Sequence, residues 1–278
     1  MVVCLAASLG CGVLSTTTPI PTQPVYRSAT RQELVDTLQR IASVESMRAV
    51  IDVTLTHETA NRDKEVLYRE VRGALVTRRP GWIRTSAETP GGIARVYDMV
   101  SDGEEFQVFL PWRNRVYEGR NELTHVSENR AENIRPQHIL EAIMLEPIPN
   151  DRNVLLDIEA YGRSGFQVLH EIEEGEDGLL HIRRKYWFSR SDLQLARMMI
   201  LNDRTELVTD TWYRDWQEDN GLPYPQHIRI ERPKDGYTLA IEVVKPGLNE
   251  DIPDSSFDLS LPDDVERRVV GDDTSSDS

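Results

Sequence analysis

Cysteine is almost missing from this chain: Cys4 and Cys11 are its two thiols, and everything after Cys11 is free of them. That excludes a disulfide framework or a thiolate metal centre in the bulk of the protein. Positive charge is also short. Lys and Arg number 32 against 47 Asp and Glu, a net charge of -15. Nucleic acid is excluded as a partner on that ground, because phosphate binding relies on Lys and Arg releasing counterions. Electrostatic adsorption to an anionic membrane is excluded for the same reason. No apolar run approaches the roughly 18 residues that a spanning helix needs. Catalytic signatures are absent too. The six histidines, at 57, 125, 138, 170, 181 and 227, form no H-E-x-x-H pair and are expected to be exposed or hydrogen-bonded. "YGRSGF" around Ser164 lacks the spacing of a nucleophile elbow, and no glycine-rich phosphate loop occurs. The expectation is a protein that is no enzyme and uses no cofactor or metal. A hydrolase would need His and carboxylate side chains gathered in one cleft.

What is present begins at the N-terminus. "MVVCLAASLGCG" reads as the apolar core of a secretory signal ending in Leu9-Gly10-Cys11. It resembles a bacterial lipoprotein signal, in which a small residue precedes a cysteine that is cleaved at its N side and acylated. Ser8 stands where such signals usually carry Leu, and the basic start of the signal would lie upstream of Met1. The next stretch, "GVLSTTTPIPTQPVYRS", has no helical or strand period and reads as a semi-extended tether reaching about 50 Å. Residues 1–10 are thus assigned to the signal, 11–28 to the lipidated Cys11 and its tether, 29–270 to one folded domain and 271–278 to an acidic tail.

The folded part opens on "TRQELVDTLQRIASV", where Thr30 and Glu33 have capping-box spacing and Leu34, Leu38, Ile41 and Ala42 share one face of a helix. "IRPQHILEAIMLEPI" predicts a second helix, with Pro136 suited to its first turn. Between and after them come short alternating runs separated by turn signals such as Asn202-Asp203, Asn220-Gly221 and Asp235-Gly236. That spacing argues for an antiparallel barrel or sandwich, not βαβ units.

Several of these runs are apolar on the face expected to point inward. "AVIDVTLTH" presents Ile51, Val53 and Leu55; "EEFQVFL" presents Phe106, Val108 and Leu110, with Phe109 on the other side. "LARMMILN" is apolar on both faces, and Met199 and Leu201 are assigned inward. "QHIRIER" adds Ile228 and Ile230, and "YTLAIEVVK" adds Leu239, Ile241 and Val243. Trp212, Tyr213, Trp216 and Tyr224 gather around one hairpin, where aromatics either rim a mouth or pin strand register.

With these residues in view the chain resembles the LolA/LolB superfamily of bacterial lipoprotein carriers. The resemblance rests on "GALVTRRPGWIR", on "VSDGEEFQVFLPWRNRVYEG" and on the ending "LNEDIPDSSFDLSLPDDV", over residues 29–265. It implies a mainly β (α+β) fold: a half-open antiparallel β-barrel enclosing an apolar cavity and covered by two or more helices. It implies a cargo of lipid or lipoprotein acyl chains. It makes Arg79 the position whose guanidinium lies inside the barrel and bonds to the lid helices, a latch. Anchored through Cys11, such a protein is expected in the cell envelope, on the outer membrane facing the periplasm, as a monomer. The other reading is an envelope scaffold or sensor that uses the same barrel to bind a protein partner. An empty apolar cavity favours the first reading and a filled core the second. The chain departs from the family in the acidic insertion "EEGEDGLL", and the protruding apolar loop of the receiving branch has only "LPWRN" around Trp112 as a candidate.

Overall fold

A computed structural model describes residues 26–58, 64–89, 91–122, 133–149, 152–162, 164–175 and 178–270. The signal, Cys11, the tether as far as residue 25 and the acidic tail lie outside the described residues.

The first helix forms where its cap demands. In α1 (Arg31–Ala42) the Thr30 hydroxyl accepts from the Glu33 amide at 3.2 Å, and the Glu33 carboxylate accepts from the Thr30 amide at 2.7 Å. Two donors that the helix start would leave unpaired are thereby satisfied. The expected face, Leu34, Leu38, Ile41 and Ala42, is the buried one. The second helix, α2 (Pro136–Ile143), is shorter than its apolar run and starts on its proline. Among the described residues no helix is long and apolar enough to cross a membrane.

The strands of the described residues form one sheet. A first meander runs through β1 (Ser46–Glu58), β2 (Lys64–Arg78), β3 (Trp82–Glu88), β4 (Arg95–Ser101), β5 (Glu105–Leu110) and β6 (Arg115–Arg120). After α2 a second runs through β7 (Asn153–Tyr161), β8 (Ser164–Glu174), β9 (Leu180–Ser189), β10 (Leu195–Leu201), β11 (Leu207–Asp219), β12 (Leu222–Arg232) and β13 (Tyr237–Leu248). The two halves are joined in the middle by β13 pairing antiparallel with β1, with Ile51 opposite Val243. A last short strand, β14 (Glu266–Val269), lies parallel to β6 and was not foreseen from sequence. Among the described residues the sheet has 14 strands and is not closed: β14 and β7 are its two ends.

The sheet curls around α2. Arg135, at the start of that helix, lies 5.5 Å from the Phe106 ring of β5, and Tyr213 of β11 donates its hydroxyl to the Ala142 carbonyl near the helix end at 2.9 Å. In the strand order β5 and β11 are seven places apart, roughly 34 Å in a flat sheet at about 4.8 Å per strand. The helix between the two contacts rises only about 10 Å. One short helix reaches both arms because the arms bend toward it.

Apolarity on both faces of β2–β4 has a local cause. The chain after β13 crosses the outer face, where Ile252 and Phe257 pack with Val76, Trp82 and Val100. Arg78 fixes this strap by donating to the Ile252 carbonyl and to Asp254, each at 2.7 Å. Beside it Asp98 is fully buried and held by Arg84, through both carboxylate oxygens, and by Arg95. The β12 strand starts earlier than its alternation suggested, at Leu222, despite Pro223 and Pro225. That stretch pairs with β11, whereas pairing with β13 starts only at His227, so the prolines sit where no ladder bond to β13 is needed.

Candidate functional site

The concave face carries the assigned wall. Ile51, Val53, Leu55, Phe106, Val108, Leu110, Ile228, Ile230, Leu239, Ile241 and Val243 are all buried in one cluster, together with Leu34, Leu38 and Ile41 of α1 and Ile139, Leu140 and Ile143 of α2. Met199 and Leu201 are a correction. The inward residues of β10 are Leu195 and Met198, with Ile200 packed against the cluster, and a register shift follows Ile200. A run apolar on both faces gives no phase, so the alternation was read one residue out.

Among the described residues an open cavity is not shown: apolar side chains of α1 and α2 pack into the same cluster as the wall. Against them remains a pocket of about 30 Å³, lined by Arg79, Pro80, Leu140, Met144, Met198 and Ile200 among others. That is room for one or two waters and not for a hydrocarbon chain.

Arg79 stands at this pocket, half-buried, in the turn between β2 and β3. Its Nε donates to the Val44 carbonyl at 3.1 Å, and its Nη2 donates to the carbonyls of Ala42 at 3.1 Å and Leu145 at 2.7 Å. Ala42 ends α1, and Leu145 lies just past the end of α2. One guanidinium therefore joins the C-terminal ends of both helices to the sheet, at the end of each helix where the dipole favours a cation. Two further bonds hold α2. Besides Tyr213, the Tyr237 hydroxyl of β13 meets His138 Nδ1 at 2.5 Å. Burial pushes both tyrosines well above their usual range and holds the His138 imidazole well below its own, so all three stay neutral.

The aromatic hairpin divides between the faces. Tyr213 is inward, with Trp216 5.8 Å from its ring and bonded through Nε1 to the Leu195 carbonyl at 2.7 Å. Trp212 is outward, between the guanidinium groups of Arg197 and Arg229, and Arg197 also covers Trp187. Next to this ladder lies a charged groove of about 580 Å³, with Asp52, Glu70, Arg214, His227, Glu231 and Glu242 in its lining. Sequence reasoning missed it, since charged residues on an outward face carry no periodic signal of their own. It also missed that His138 and His170 are buried.

No family model matches the chain, and no curated protein matches it by sequence. Solved structures do match. A DUF1329 family protein from Desulfovibrio piger aligns over 81% of this chain and 95% of its own at 12% identity, with a TM-score of 0.54. A LolA superfamily protein from Nitrosomonas europaea aligns over 84% and 99% at 13% identity, with a TM-score of 0.49. A domain from Vibrio parahaemolyticus assigned to outer-membrane lipoprotein sorting aligns over 81% and 94% at 10% identity, with a TM-score of 0.47. At these identities the likeness is one of fold. It is carried by the Desulfovibrio protein, with its TM-score of 0.54.

Proposed function

We propose that this chain is a non-catalytic protein of the bacterial envelope, anchored by a lipid on Cys11 at the outer membrane, that shelters the acyl chain of a lipid or lipoprotein in the trough of its sheet. In this reading α1 and α2 are a closed lid and Arg79 is the latch. The observation that carries it is the Arg79 triplet of bonds, which ties both helices at one point beside the remaining pocket. The inward wall is continuous and apolar, as an acyl chain requires, and each methylene sheltered contributes about 0.8 kcal/mol. Against that stand the apolar helix faces an incoming chain must displace and the latch bonds, each worth about 1.5–3 kcal/mol as bonds to a charged donor. An acyl chain of ordinary length is in the range needed to open the lid.

The test is titration with a fluorescent long-chain fatty acid, using the chain with Cys11→Ser. Adding Arg79→Ala frees the helix ends, so that variant should bind at least tenfold more tightly than the chain that keeps Arg79, while melting at a lower temperature. Absence of saturable binding by both proteins, each folded by circular dichroism, would sink the acyl-chain reading.

A second reading, a protein partner in the envelope, draws on the packing of α1 and α2 into the trough and on one edge of the sheet. β7 ends the sheet, and Leu155, Ile158 and Tyr161 along it are exposed. Such an edge accepts an added strand. Ile158→Lys should then abolish capture of that partner from native envelopes without altering fatty-acid binding.

A further inference from the structure

The hairpin of β7 and β8 brings together three side chains that the reading above does not use. Alternation along β7 places Asp157 and Glu159 on the same face. In register, Asp157 faces Val168 of β8, and His170 lies two residues further along that strand on the same side, opposite Leu155. One oxygen from each carboxylate and one nitrogen of the imidazole all lie within 4.8 Å of one another. A cation with ligands at about 2.1 Å sets its donors roughly 3–4 Å apart, so small side-chain rotations complete the fit.

The histidine supplies the second, independent observation. His170 is only 7% exposed, and neither Nδ1 nor Nε2 has a hydrogen-bond partner. A buried polar atom without a partner is costly, and such atoms are rare in folded proteins. The neighbouring carboxylate is already aimed. Glu159 Oε2 accepts from the Tyr161 hydroxyl at 2.5 Å and from Trp187 Nε1 at 2.9 Å, which leaves its other oxygen for a further partner. Asp157 Oδ1 accepts from the Ile158 amide at 2.7 Å, which orients that carboxylate in the same way. Outer bonds of this kind are what fix the ligands of metal sites.

We propose that Asp157, Glu159 and His170 form a binding site for a divalent transition cation of the zinc class. The donor set is one imidazole nitrogen and two carboxylate oxygens. That suits zinc or manganese, whereas calcium and magnesium take oxygen alone. Lys185, opposite His170 on β9, adds a repelling charge beside the site, which sets the affinity below that of a closed structural zinc centre. Three protein ligands leave positions open to water on an edge strand exposed to solvent.

Calorimetric titration of the full chain, stripped with chelator, with Zn²⁺ alone tests this; Co²⁺ absorption gives a second readout specific to nitrogen and oxygen ligands. The expected result is one saturable equivalent, at least tenfold weaker in His170→Ala and in Asp157→Asn, and unchanged in His227→Ala, whose ring meets Asp215 elsewhere on the sheet at 2.9 Å. Ca²⁺ should not compete. If His170→Ala fails to fold, Asp157→Asn, at an exposed position, still gives the answer. Wild type that takes up no Zn²⁺ overturns the proposal and assigns the buried nitrogens to bound water. Binding that survives both substitutions unchanged overturns it equally.

Discussion

His138 sits where burial denies it a charge, with Arg232 and Arg135 adding their repulsion and the Tyr237 hydroxyl as its hydrogen-bond partner among the described residues. Its folded-state pKa lies below the unfolded value of about 6.5, so below that pH the unfolded chain takes up a proton that the folded chain refuses. Stability contributed here is full above pH of about 6.5 and is lost as pH falls, by up to about 1.4 kcal/mol per unit. Wild type should therefore lose stability faster than His138→Gln between about pH 6.5 and 5, measured by denaturant unfolding at each pH. Equal slopes would show that another group carries the acid sensitivity. None of this was legible in the sequence, because a histidine inside an apolar helical run looks the same whether it is buried or at the rim. Arg79 was legible only through its Arg-Pro motif and the resemblance. Its carbonyl partners lie 35, 37 and 66 residues away, and no local pattern encodes them. For Met199 the strand's double apolarity hid the phase, and Met198 took the place.

At the level of elements, the signals that could be read were the local ones. The Thr30–Glu33 box and the four apolar positions after it specify α1, and the helix forms there. Asn220 and Gly221 both have positive φ, 51° and 78°, which is what a two-residue hairpin between β11 and β12 requires. Gly221→Ala should cost about 1 kcal/mol in denaturant unfolding, through backbone strain alone, since open space surrounds the added methyl. What escaped reading depended on distant chain. The 249–258 strap covers β2–β4 from outside, and its motif was visible while its place was not. Phe257→Ala should remove about 3 kcal/mol, seen as a lower denaturation midpoint with the same slope, because Phe257 is buried against Trp82 at 5.4 Å between ring centres.

For the molecule as a whole, the mainly antiparallel β architecture was legible from turn spacing and alternation, its openness only through the resemblance, and how α1 and α2 pack into its trough was not. An alternating strand announces that one face is apolar; it is silent on whether helices or a guest cover that face. The two helices are tied differently. α2 has Arg79, Tyr213 and Tyr237 as polar partners on three parts of the sheet, and α1 shares only the Arg79 contact among these. In Arg79→Ala, amide exchange should rise in α2 and at the end of α1 while β1, β12 and β13 keep their protection. Uniform loss of protection across the sheet would mean that Arg79 serves the global fold instead of the lid.

The pairing of β1 with β13 has a consequence for how the protein is made. Ile51 and Val243 are neighbours in space 192 residues apart in sequence, so the central seam cannot form until β13 has emerged. Each half can zip its own hairpins early, but β1 waits with an unsatisfied ladder through the entire interval. A folding molecule thus carries its most adhesive edge in its middle, and it is there that a chaperone would have most to protect.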